Sequence, residues 1–252
     1  MAVHETSGTV WNDALLANPH AAADKRARVQ RMFAAIAGSY DLNNRLHSLW
    51  MDQRWRRKAV RLAEVRPTDV VVDVACGTGD LSLLFAGTPA RRVIGIDFTF
   101  EMLPIARGKA ASARRPSPAF INGDALTLPL CNACADVVSI SFGLRNLADP
   151  TGALREFHRV LRPAGRLIIL EFSLPENRVF RRLYNFYFRK VLPRTATWIS
   201  GDKSGAYRYL PESVNTFVQR GQIMDMMRQA GFTQVQQHPL TFGVCVCYRA
   251  MR

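Results

Sequence analysis

The stretch VVDVACGTGD, residues 71–80, runs apolar side chains into Asp73 and then breaks into a turn with glycines at 77 and 79. Twenty residues after Gly77 a second apolar run, RRVIGID, ends in Asp97. Gly77 and Gly79 give a tight turn whose backbone is open to a ligand, and an acid at that offset places a carboxylate on a ribose diol. Asp97 also precedes FTFEML, where an aspartate can cap a helix; the offset favours ribose. A third run leads to NGDALTLP, in which Asp124 can accept a hydrogen bond from an adenine amino group while Ala125 leaves room for the ring. An aspartate after glycine is also a common turn residue.

These residues suit a nucleoside cofactor, and their types narrow which one. A dinucleotide fold wants a third glycine at position 82, where this chain has Ser82. Asp73 and Asp80 bring negative charge towards the turn, which repels phosphate and suits a cation carrying an ammonium and a sulfonium. S-adenosylmethionine is such a cation, and methyl transfer from it needs no metal.

The elements that must position these residues follow from the patterning. Strand-like runs near 70–75, 92–96, 118–122, 135–141 and 166–172 alternate with helical stretches over about 79–87, 100–113 and 151–161. That order predicts a parallel sheet with helices on both faces, an α/β Rossmann-like architecture. The helix over 151–161 stops at RPAG. Residues 24–64 read as a helical cover, with Phe33, Ile36 and Ala37 spaced for one apolar face. The aromatic-rich segment 174–211 is an insertion that the sheet does not require, suited to a lid over a site. After a helix over 212–230, two strand-like runs separated by HPLT are too close for another crossover, so the sheet ends antiparallel. Residues 1–23 read as a loose tail before a single domain over 24–252.

The charge of +14 favours an anionic partner, either nucleic acid or an acidic lipid surface. Two blocks carry much of it, QRWRRKAVR (53–61) and FRRLYNFYFRKVLPR (180–194), the second with arginines among large aromatics. Each is also consistent with a solvated helix face. No nucleic-acid recognition motif accompanies them. No apolar run approaches the roughly 20 residues needed to span a bilayer, and no export signal is evident at the start. Of five cysteines, Cys131 and Cys134 form CxxC, and Cys245 and Cys247 alternate within FGVCVCY as small apolar groups on one strand face. A zinc site is not expected, and a reducing cytoplasm fits.

SYDLNNRLHSLW, VVDVACGTGDLS, SISFGLRNLADP, RVLRPAGRLIILEFS and YRYLPESV together resemble the menaquinone and ubiquinone biosynthesis C-methyltransferase family over roughly residues 24–250. Its specific elements are Tyr40-Asp41, FGLRN and LEFS; the glycine motif alone marks only the class I methyltransferase superfamily. The resemblance implies a seven-stranded, mostly parallel sheet with a reversed last strand. It also implies cofactor contacts at Gly77, Thr78, Gly79, Asp97, Asp124, Ala125 and Ser141. The chain departs from the family pattern at Asn43 and Asn44, at Trp50 and at Asp52. The family commonly carries Met-Asn, a glycine and a histidine there.

The family's reaction moves a methyl group from a sulfonium to a ring carbon of a polyprenylated hydroquinone. A ring carbon becomes nucleophilic when an adjacent hydroxyl loses its proton. Arg145 is the expected stabiliser of that phenolate, with a structural ion pair as its alternative role. Asp41 is the expected general base, and Tyr40 and Asn146 are expected to orient the ring. A polyprenyl tail is membrane-resident, which gives segment 180–194 a use as a greasy entrance resting on anionic lipid. Another small or lipidic acceptor is the rival reading. The sequence leaves prenyl length and homo-oligomer formation open.

Overall fold

The computed structural model describes residues 10–113, 116–202 and 204–252. Its apolar runs form strands β1 (Val70–Val74), β2 (Arg92–Asp97), β3 (Ala119–Asn122), β4 (Ala135–Ser141) and β5 (Leu161–Phe172), followed by β6 (Thr233–Leu240) and β7 (Cys245–Met251). They make one seven-stranded sheet in the order β3-β2-β1-β4-β5-β7-β6. The first five run parallel, and β7 slots between β5 and β6 antiparallel to both. The winding reverses between β1 and β4, which pair directly, with Val74 opposite Ile140. A crevice therefore opens beyond their carboxyl ends, where open α/β sheets bind ligands.

The helices are α1 (Asp13–Leu16), α2 (Lys25–Ile36), α3 (Tyr40–Ser48), α4 (Met51–Leu62), α5 (Asp80–Ala86), α6 (Met102–Ser112), α7 (Pro150–Val160), α8 (Arg178–Phe186), α9 (Leu192–Ser200), α10 (Ala206–Thr216) and α11 (Arg220–Gln229). Strand alternation divides the core between the sheet's two faces. In β5, Leu167 and Ile169 join the cluster with Leu154, Phe157 and Met227, while Ile168 and Leu170 join the one with Trp55, Phe85 and Val71. Cys245 and Cys247 sit fully buried in the second cluster, and Cys131 is exposed.

Several boundaries differ from those predicted. The loose tail does not reach residue 23: Trp11 is fully buried and stacks on Tyr209 at 4.5 Å, and α1 starts at Asp13 under an Asn12 cap. Burial of one large aromatic outweighs the entropy of fixing a short segment. Residues 1–9 of that predicted tail lie outside the described residues. The single helix over 212–230 is two, because Phe217 turns extended and Gln219 opens a new capping box with Gln222. HPL continues β6, and the reversal falls at Thr241–Gly243. RPAG does not leave the sheet; it forms a bulge in β5, between the pairs Ala135–Leu161 and Val137–Arg166. Between α3 and α4, Leu49 and Trp50 both hold left-handed backbone, at φ 51° and 59°. A family glycine at position 50 would meet that conformation without strain.

Candidate active site

The turn after β1 needs its glycines for two separate reasons. Gly79 holds φ +83°, and a Cβ there would lie 3.0 Å from Phe120 and 3.1 Å from Ala106. Gly77 holds φ +54° with nothing within 4 Å of a would-be Cβ, and it lines a cavity over the ends of β1 and β4. The floor of that cavity is Asp97 at the end of β2. Its Oδ2 accepts from the Gly77 N–H at 2.6 Å and its Oδ1 from the Thr99 N–H at 2.8 Å. Burial pushes the Asp97 carboxyl up to about 6 against the pull of those two donors. The walls are apolar, from Val29 and Phe33 of α2 to Phe98, Met102, Ala125 and Leu126.

The cavity fits the donor inferred from the sequence. Ser141 lines it, and its hydroxyl oxygen is buried with no hydrogen-bond partner among the described residues. An orphaned buried hydroxyl costs free energy unless a ligand satisfies it. Gly77, Asp97, Asp124 and Ala125, the residues expected at the turn, the ribose and the adenine, are brought together around the same space. Asp124 is less free than expected: Oδ1 accepts from the Leu126 N–H at 3.0 Å, and Oδ2 pairs with Arg26 at 2.7 Å. Arg26 crosses from α2 and lies 4.5 Å over the Phe98 ring.

A second cavity adjoins the first, and Phe33, Tyr40 and Phe142 line both. It is bounded by Met32 and Ile36 of α2, Asn44, Ser48, Asp52 and Arg56 of α3 and α4, Arg145, Phe172, and Tyr207, Tyr209 and Leu210 of α10. Phe142, the residue just past β4, holds φ 57°, a strained conformation for a bulky residue and one that clusters at functional sites. Its carbonyl accepts from Arg145 Nη1 at 2.8 Å and Asn146 Nδ2 at 3.1 Å, so FGLRN folds back on itself. Asn146 Oδ1 in turn accepts from the Tyr209 hydroxyl at 3.0 Å. Burial raises the phenol of Tyr40 above its ordinary range, with Arg56 opposing.

Arg145 forms the structural ion pair named as its alternative role, and it does so at the edge of the second cavity. Its Nη1 lies 2.6 Å from Glu171 Oε1. Lys25, itself buried, donates to the Arg145 carbonyl at 2.8 Å and the Leu147 carbonyl at 2.6 Å, tying α2 to the same turn.

Other expectations need correction. Asp41 lines neither cavity: Oδ1 accepts from Thr78 Oγ1 at 2.6 Å and Oδ2 from Lys109 at 2.7 Å, on the outer side of the glycine turn. Adjacent helical residues point about 100° apart, so Tyr40 facing inward sends Asp41 elsewhere. Thr78 is accordingly engaged with Asp41. Asp80 pairs with Lys109 and with Arg45; burial works to raise its carboxyl, but the charges of Arg56, Lys109 and Arg45 together hold it below the usual range. Asp73 is sealed beneath the turn, accepting from Ser82 at 2.6 Å and Ser139 at 2.8 Å. The basic block at 53–61 is not wholly a solvated face: Arg56 is 5% exposed and pairs with buried Asp52 at 2.5 Å. The i,i+4 spacing of those two was the signal in the sequence.

Residues 21–252 match the model of the ubiE/COQ5 methyltransferase family. The chain belongs to that family. It is 46% identical over 222 residues to a demethylmenaquinone methyltransferase of Deinococcus radiodurans, covering 88% of this chain and 91% of the relative. It is 47% identical over 218 residues to the enzyme of the same name from Thermus thermophilus, covering 86% and 98%. A solved SAM-dependent methyltransferase from Thermotoga maritima shares the fold alone, at TM-score 0.58 and 19% identity over 88% of this chain and 98% of that one. As a methyltransferase of this family the chain uses S-adenosylmethionine, and the cavity at Asp97 is the space that suits it.

Proposed function

We propose that this chain methylates a ring carbon of a polyprenylated hydroquinone, with demethylmenaquinol as the acceptor suggested by the names of its relatives. One observation carries the reading. A cavity floored by Asp97 and an apolar cavity holding Arg145 share a wall made by Phe33, Tyr40 and Phe142.

S-adenosylmethionine, when bound, supplies an electrophilic methyl group. Gly77, Asp97, Ala125 and Ser141 would hold it, with Asp124 close to the adenine end. Gly79 shapes the turn, and Thr78 supports it through Asp41. Across the shared wall, Arg145 faces the acceptor hydroxyl and favours its ionised form. It keeps its own proton and works by charge. Phe142, Phe172 and Tyr40 flatten the ring against the wall so that the carbon beside the phenolate faces the donor. Transfer would form a C–C bond at that carbon as the donor's S–CH3 bond breaks to leave a neutral thioether, and loss of the ring proton to water would restore aromaticity. Asn146, fixed by Tyr209, orients the turn that carries Arg145. Asp41 is displaced from the role of base by its position.

The tail of such a substrate needs an apolar exit. Phe172, Tyr207 and Leu210 line the acceptor cavity and also pack with Tyr184, Tyr187, Phe188 and Leu192 in the core of the 174–211 insertion. Outside that core α8 exposes Val179, Leu183 and Phe186 at 62–65%, beside exposed Arg178, Arg181 and Arg182. An apolar stripe flanked by arginines suits an anionic membrane surface. No helix among the described residues is long and apolar enough to cross a membrane.

Incubation with methyl-labelled donor and a reduced prenylated naphthoquinol in detergent, with the methoxylated benzoquinol in a parallel arm, tests the reading. Label in a ring-methylated product supports it; label in neither acceptor, from protein that binds the donor by calorimetry, overturns it. Arg145→Lys should lower kcat by about tenfold to a hundredfold while donor affinity holds within about twofold.

A further inference from the structure

We infer that Arg56 is a second acceptor-binding guanidinium, holding the ring oxygen para to the one at Arg145. This rests on the quinol reading above and deepens it. Arg56 lines the acceptor cavity together with Arg145, and both are about 5% exposed. The Arg56 guanidinium carbon lies 5.2 Å from the centre of the Phe142 ring, and that of Arg145 lies 5.3 Å from the centre of Phe172. The two rings pack with centroids 4.5 Å apart and an interplanar angle of 31°. The cavity wall is therefore a pair of aromatic rings with a guanidinium against each. A hydroquinone has the matching shape, a flat apolar ring with an oxygen at each end.

The charge on Arg56 is prepared for this. Asp52, one helical turn before it, takes Nη1 at 2.5 Å. The carboxylate is itself held by Ser48 at 2.9 Å and Gln53 at 3.0 Å. An arginine carries five N–H donors in a rigid fork, and the hydrogen bonds of Arg56 to described residues use Nη1 alone. Arg56 lines the cavity, so a neutral, apolar ligand there would offer its remaining donors no partner, a costly outcome for a buried group. Specificity against ligands that lack the second oxygen follows.

Arg56 also borders the hollow beneath the glycine turn, with Tyr40, Asp73 and Gly77. A role in holding the donor is thus the competing assignment, and the test separates the two. Wild type, Arg56→Lys and the charge-neutral pair Asp52→Asn/Arg56→Gln are compared on two acceptors, a short-chain prenylated naphthoquinol and its analogue lacking one hydroxyl. The analogue is measured as a competing inhibitor and the donor by calorimetry. Wild type should bind the analogue about tenfold to a hundredfold more weakly than the quinol. Arg56→Lys and the double variant should weaken the quinol by a comparable factor, leave the analogue unchanged and hold donor affinity within about twofold. Equal binding of both acceptors by wild type overturns the inference, and that comparison stands even if the variants fail to fold. So does a variant that shifts both acceptors alike or loses the donor. Wild type that methylates the quinol yet gives one of these results refutes only the role of Arg56; wild type that binds the donor but methylates no quinol refutes the quinol reading itself.

Discussion

Arg145 Nη1 lies 2.6 Å from Glu171 Oε1, and the two side chains are 5% and 0% exposed. Glu171 Oε2 also accepts from the Arg145 backbone N–H at 3.1 Å, so one carboxylate fixes both the charge and the turn that carries it. The guanidinium that lines the second cavity is therefore held against swinging. Removing either partner alone strands a buried charge. Arg145→Ala and Glu171→Ala should each cost about 3–5 kcal/mol, read from denaturant midpoints, and the double variant should cost clearly less than their sum. Additive losses would show that the pair is not coupled.

Donor affinity should follow the ionisation of Asp97. Its carboxyl is pushed up to about 6, and only the ionised form offers both oxygens to hydroxyl donors. As pH falls through 6 the dissociation constant for S-adenosylmethionine should rise. Asp97→Asn should weaken binding by about tenfold to a hundredfold and flatten the pH dependence. Calorimetry from pH 5 to 8 reads both, and a variant with wild-type affinity removes Asp97 from the donor site.

Asp73 gives a stability signature of opposite sense to that of a salt-bridged acid. Burial lifts it from 3.8 to about 6 despite the Ser82 and Ser139 hydroxyls. Between those values the folded chain holds a proton that the unfolded chain has lost, so this contribution is present below pH 3.8 and disappears as pH rises through 6. Neutral His20, lowered to about 4, works in the other direction over a similar range, so the useful quantity is a difference between variants. Asp73→Asn should gain on wild type by at most roughly 3 kcal/mol between pH 4 and 7. Parallel stability curves would mean the folded-state value is unshifted.

The exposed face of α8 supplies a test away from the chemistry. Leu183→Asp with Phe186→Asp adds charge to positions that are 62% and 65% exposed, so folding should be little affected. Flotation with vesicles containing anionic lipid should fall severalfold, while turnover of a short-tailed quinol in detergent stays near wild type. Undiminished flotation would place membrane contact elsewhere.

Much of the frame was legible because strand burial writes itself as apolar runs. β1, β2 and β4 fall within a residue or two of the runs that predicted them, and Asp97 sits where the spacing from Gly77 put it. Contacts distant in sequence were not legible. Arg26 reaches Asp124 across 98 positions, and nothing local announces it. Asp41 neighbours Tyr40 in the chain, yet helix geometry sends it to Lys109. Arg56 lay inside a block that looks solvated, and its i,i+4 spacing from Asp52 just before that block hinted at a pair without saying which side of the helix is covered. Trp11 was missed because a lone aromatic carries no period.

Phe33 and Tyr40 belong to the same helical cover and face both chambers at once. A swing of that cover wide enough to free a spent molecule on one side also slackens the hold on the other. Such a motion would couple the departures of the two products. If the cover stays shut between turnovers, idle hydrolysis of the donor should stay low even when no acceptor is at hand.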